Sequence, residues 1–116
     1  MNELLCHLIG DYFLQNDWMA LTKYRSKWVA MLHGFFYSLP FWFITRSWTA
    51  ILVIGLTHSI VDHWKMANWI SQLKNWNWST PDGFDADRPI WLTVWLTIIT
   101  DNSLHLLINH GALKFL

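Results

Sequence analysis

The chain has 116 residues and a formal net charge of zero, with 53% hydrophobic and only 14% charged residues. That length supports one helical domain, 1–116, with no room for a regulatory module, and the lack of a run of like charges excludes a nucleic-acid backbone as partner. So small a charged fraction would not solvate a globule of this size, so the lipid bilayer is expected to be part of the solvent.

The first stretch, 4–21, carries apolar residues at 4, 5, 8, 9, 12, 13 and 21, a helical period. The N-terminal segment MNELLCHLIGDYFLQND carries Glu3 and has no basic leader, so it is expected to belong to the mature fold rather than to a cleaved signal. Cys6 is the one cysteine, which excludes an internal disulfide and suits a small buried apolar side chain. A basic turn with Lys23, Arg25 and Lys27 follows.

The segment 28–45, WVAMLHGFFYSLPFWFIT, has no Asp, Glu, Lys or Arg over 18 residues, about the minimum for a membrane crossing. Pro40 is expected to kink or end it. Beyond Arg46, SWTAILVIGLTHSIV (47–61) is uncharged until Asp62 and predicts the second arm of a tight hairpin. KNWNWSTPDGFDADRP (74–89) is rich in turn formers and predicts the one long loop, Trp-rich and outside the bilayer. Pro89 is placed to open a last helix running to the C-terminus.

These elements predict an all-α fold, a four-helix transmembrane bundle with short connections and one longer Trp-rich loop. Basic residues concentrate at 23–27 and at Lys65, Lys74 and Arg88, against Arg46 and Lys114 on the other side. By the positive-inside bias this predicts a multi-pass protein of a bacterial inner membrane with loops 22–27 and 65–88 cytoplasmic. Tryptophans at 18, 28, 48, 64 and 91 suit interfacial belts.

The chemistry lies in HLIGD (His7, Asp11), HSIVD (His58, Asp62) and DNSLH (Asp101, His105). Residues four apart on a helix share a face, so each pair is a chelate in waiting. Random placement of six histidines and seven aspartates would give about 0.7 such pairs, and three are present. His33 adds a fourth imidazole in the uncharged run. Carboxylates at membrane depth cost several kcal/mol each unless compensated and mark ion pathways or reactive sites. The candidate ligands are therefore His7, Asp11, His33, His58, Asp62, Asp101 and His105. Mixed nitrogen and oxygen donors suit a divalent Zn, Mn or Fe ion, and the sequence does not choose among them. The competing readings are Asp–His hydrogen bonds without a metal, and a proton relay. His63 and His110 point off these faces, Gln15 and Asn102 could orient a carboxylate, and Asp17, Asp82, Asp85 and Asp87 fall in turn or loop sequence.

HLIGDYFLQNDWMA, the basic turn, LHGFFYSLPF, THSIVDHWK and RPIWLTVWLTIITDNSLHLLIN together resemble a family of small bacterial and phage proteins catalogued as domain of unknown function 3307. The resemblance follows the motif order along nearly the whole chain. It implies that the family's polar positions fall on His7, Asp11, Gln15, His33, His58, Asp62, Asp101 and His105, and that Asn102 stands where many members carry glutamine. It supplies no activity. At the level of HxxxD pairs on membrane helices there is a looser similarity to membrane-bound metal-dependent hydrolases.

Three functions follow as expectations. A metal-dependent hydrolase would activate water against a phosphoester or lipid-like substrate, with Asp11, Asp62 or Asp101 as general base. A non-enzymatic membrane protein would use the 74–89 loop to bind a protein partner, which the phage resemblance makes a host envelope or defence protein. An ion- or proton-conducting protein of this length would need to form a homo-oligomer.

Overall fold

The computed structural model describes residues 1–116, and the chain is all-α, with six α-helices and two shorter helical turns. It begins with α1 (Glu3–Leu8), capped by the Asn2 side chain, which accepts from the Leu5 amide at 2.9 Å. α1 runs into a π-helical turn, Ile9–Phe13, closed where the Leu14 amide reaches the Ile9 carbonyl. Asn16 then caps a new helix, α2 (Asp17–Thr22), by accepting from the Met19 amide at 2.8 Å. The single helix expected over 4–21 is thus three pieces: Asn16 caps the free amides of a new helix start, and the π turn continues from Leu8 with no side-chain cap.

α3 (Lys27–Ser38) starts on Ser26 and tightens into a 3₁₀ turn, Leu39–Phe43, around Pro40, whose missing N–H cannot continue the α ladder. α4 (Trp48–His63) starts on Ser47, and the left-handed Lys65 (φ 50°) separates it from α5 (Met66–Lys74). α6 (Ile90–Phe115) opens directly after Pro89.

The expected four-helix transmembrane bundle does not form. α3 has 12 residues and α4 has 16, about 18 and 24 Å of helix, short of the roughly 30 Å hydrocarbon core. Only α6, with 26 residues, is long and apolar enough to cross a membrane. The segment 65–88, expected to be a loop, contains α5, so the multi-pass topology with loops 22–27 and 65–88 on one side loses its basis.

The chain divides into two units. One comprises Met1–Trp64 and His105–Leu116, the other Lys65–Leu104. In the first, α3 and α4 pack most extensively, and they can approach because small residues face each other. A Cβ added at Gly34 would fall on Ser59 Oγ and on the Gly55 carbonyl. Ser59 Oγ donates across this contact to the Ala30 carbonyl at 2.9 Å. Gly10 serves the π turn similarly, since a Cβ there would lie 2.7 Å from the Tyr37 ring and carbonyl. Cys6, Tyr37, Phe41, Ile51, Ile54 and Ala112 form the buried apolar cluster, and Cys6 is a free thiol as expected. The second unit holds α5, the 75–89 loop and the start of α6, with Gln72 Nε2 donating to the Thr80 carbonyl and Asn75 Nδ2 to the Gly83 carbonyl.

Candidate metal centre

The first unit buries an unusual set of polar side chains. His7, Asp11, Lys23, His33, His58, Asp62, His105 and Asn109 are each at most 6% exposed. Asp11 comes from the π turn, His33 from α3, and His58 and Asp62 from α4. Each offers one ligand atom, and these four atoms all lie within 4.8 Å of one another. His33 Nε2 is 3.3 Å from Asp11 Oδ1 and 3.4 Å from Asp62 Oδ2. His58 Nε2 is 3.2 Å from Asp62 Oδ2, 3.6 Å from Asp11 Oδ1 and 2.9 Å from His33 Nε2.

Hydrogen bonds join the rings to one another and to Asp62. His105 Nε2 lies 3.0 Å from Asp62 Oδ1, a carboxylate oxygen that can only accept, so this nitrogen carries the proton. His105 Nδ1 lies 3.2 Å from His58 Nδ1, so one of these two nitrogens donates to the other. His58 Nε2 is aimed into the cluster, toward Asp62 Oδ2 and His33 Nε2. Burial pushes the His58 imidazolium pKa down to about 4, against the attraction of Asp62, so the ring is neutral at pH 7. Burial would raise the Asp62 carboxyl, but the His58, His105 and His33 rings overcome it and hold the group well below the usual carboxylate range. Asp11 is lowered likewise, its burial outweighed chiefly by the hydrogen bond from His33. His33 is raised, because its bonds to Asp11 and Asp62 outweigh burial. His33 Nδ1 is buried with no partner, so hydrogen bonding does not fully satisfy this ring.

A lysine brings one positive charge to the cluster. Lys23 Nζ donates to Asp62 Oδ2 at 2.7 Å, and this pairing raises the ammonium pKa in spite of burial. The Lys23 carbonyl accepts from His63 Nδ1 at 2.7 Å, which anchors the backbone that delivers it. Lys23 was expected to mark a cytoplasmic loop. Its burial against Asp62 removes it from the positive-inside count.

The three spaced pairs fare differently. His58 and Asp62 meet as the spacing predicts. Asp11 lies in the π turn, whose helical period is wider than that of α1, and meets His33. His7 Nδ1 meets Tyr37 Oη at 2.6 Å, and Tyr37 also accepts from Asn109 Nδ2 at 2.7 Å. The Tyr37 ring stacks on His58 with centroids 3.6 Å apart. His105 bonds to Asp62, and Asp101, half-buried one turn before it on α6, holds a ligand atom within 4.8 Å of that of His105, as the spacing predicts. Outside the cluster, His110 pairs with Glu3 at 3.0 Å on the surface, and Gln15 Nε2 donates to the Asp11 carbonyl.

Tyr37, Asn109 and Lys23 are the site residues that the spaced pairs did not reveal. Tyr37 lies four residues after His33 and Asn109 four after His105, so the same spacing, extended to other polar side chains, finds two of them. No local signal marks Lys23.

The model of the family described as protein of unknown function (DUF3307) matches residues 1–110. The chain belongs to this family. No curated protein and no solved structure matches it, so the looser likeness to membrane-bound hydrolases gains no support.

Proposed function

We propose that this member of the DUF3307 family is a divalent-metal-binding protein whose ion is held by Asp11, His33, His58 and Asp62. The observation that carries this reading is the convergence of four buried donor atoms within 4.8 Å, two of them carboxylate oxygens. Two carboxylates packed so closely repel, and a divalent cation is the compact compensation that Lys23, a single positive charge at one edge, supplies only in part. Bound there, the ion would tie the π turn, α3 and α4 together, with His105 and Lys23 orienting Asp62 from outside.

A metal-dependent hydrolase would need an open coordination position for water, and four buried protein ligands favour a closed, structural centre over an open one. Hydrolysis of a phosphoester or lipid-like substrate is therefore the secondary proposal, and it requires Asp11 or Asp62 to leave the ion and act as base. Association with a lipid surface is proposed through α6, where Ile90, Trp91, Trp95 and Leu107 are each more than 60% exposed. A protein partner for the 74–89 loop is favoured by the exposed Trp76 and Trp78.

Elemental analysis of the purified chain tests the central reading. About one equivalent of a divalent transition metal, lost in His58→Ala, is expected. Less than about half an equivalent, unchanged by that substitution, would contradict it.

A further inference from the structure

The separations among the four donors carry information about which ion they suit. We infer that the centre is four-coordinate, close to tetrahedral, and selective for Zn(II) over Mn(II) and Mg(II); this rests on the metal-binding reading above.

A tetrahedral ion with bonds of about 2.0–2.1 Å sets its ligands about 3.3–3.4 Å apart along all six edges. An octahedral ion at about the same bond length sets neighbouring ligands about 3.0 Å apart and opposite ones about 4.2 Å apart. Five of the six separations here are 2.9, 3.2, 3.3, 3.4 and 3.6 Å. Four of these five fall within about 0.3 Å of the tetrahedral edge. The 2.9 Å approach of His33 Nε2 to His58 Nε2 is the one clear deviation, and an ion bound by both nitrogens would widen it.

An octahedral ion would also need two further oxygen donors. The groups beside Asp62 are committed elsewhere. Asp62 Oδ1 accepts from His105 Nε2 at 3.0 Å, and Lys23 Nζ, at 2.7 Å from Asp62 Oδ2, is a cation that cannot ligate. Burial leaves little space for the waters that Mg(II) retains, since His33 and His58 are 0 and 1% exposed and Asp11 and Asp62 6 and 3%. Two imidazoles with two carboxylates neutralise a divalent ion, and Zn(II) accepts four ligands without electronic cost.

The test uses the full chain stripped with chelator, titrated separately with Zn(II), Mn(II), Mg(II) and Co(II). One equivalent of Zn(II) is expected to bind at least about 100-fold more tightly than Mn(II), with no saturable Mg(II) binding. The Co(II) adduct is expected to show the intense visible bands of a four-coordinate ion. Asp11→Asn, which preserves side-chain shape, is expected to weaken Zn(II) and dim those bands while circular dichroism stays unchanged. Zn(II) and Mn(II) affinities within about tenfold, or the weak spectrum of six-coordinate Co(II), would overturn the tetrahedral assignment alone. Failure of every ion to bind a folded chain would overturn both it and the metal-binding reading.

Discussion

The two units use the same residue types in opposite ways. In the first, Asp62 is 3% exposed and meets Lys23, His33, His58 and His105, every contact at 3.4 Å or less. In the second, Arg88 faces Asp85 and Asp87 at 3.7 Å each, with all three side chains more than half exposed. Water already solvates the second set, so its ion pairs are worth about 0–1 kcal/mol. In the first set each charge depends on its neighbours, and removing one partner strands the rest.

Asp62→Ala should break this contrast most severely. It leaves the Lys23 ammonium buried without its carboxylate and takes a hydrogen-bond partner from His105. A loss of about 3–5 kcal/mol in chemical unfolding is expected. Tyr37→Phe comes next, because it removes the one hydroxyl that joins His7 to Asn109. Leaving those two buried groups short of a partner should cost about 1–3 kcal/mol. Far-ultraviolet dichroism should show no change of fold.

The pH dependence sharpens the comparison with a sign. His58 has a pKa of about 4 in the folded chain against an ordinary value of 6.5. Its contribution is complete above 6.5 and is lost as pH falls toward 4, because the unfolded chain takes up the proton first. His33 is raised above the same 6.5, so its contribution is complete below that value and is lost as pH rises through its folded pKa. Metal-free protein should therefore be most stable near pH 6.5, read as the thermal midpoint across a pH series. His58→Gln should reduce the loss between pH 6.5 and 4 and leave that of Asp11 and Asp62 at lower pH. The smallest effect belongs to the second unit. Arg88→Ala should change stability by less than about 1 kcal/mol, with no effect on bound metal.

Much of the site was legible because helical spacing is local. HSIVD puts His58 and Asp62 on one turn of α4, and they meet. His33 stood out as an imidazole in an uncharged run, and it sits at the centre of the cluster. What spacing could not convey was a change of helical period. HLIGD has the same spacing as HSIVD, yet Asp11 lies in the π turn at Ile9–Phe13 and meets His33, and His7 meets Tyr37. Lys23 was hidden for a different reason. Its partner lies 39 residues away, and a basic residue in a turn has the same local sequence whether it faces water or a buried carboxylate. The fold was misjudged where hydrophobicity outweighed capping. The run 28–45 is apolar enough for a membrane span, but Pro40 tightens its end into a 3₁₀ turn, and Asn16 breaks the stretch before it.

The most direct test of the buried centre is the thermal midpoint of the chelator-stripped chain with and without one equivalent of Zn(II), beside His33→Ala and Arg88→Ala. The four-ligand account predicts that Zn(II) raises the midpoint of the wild type and of Arg88→Ala by several degrees and leaves His33→Ala unmoved, since an ion that binds only the folded state stabilises it. Equal shifts in all three, or no shift in any, would contradict it.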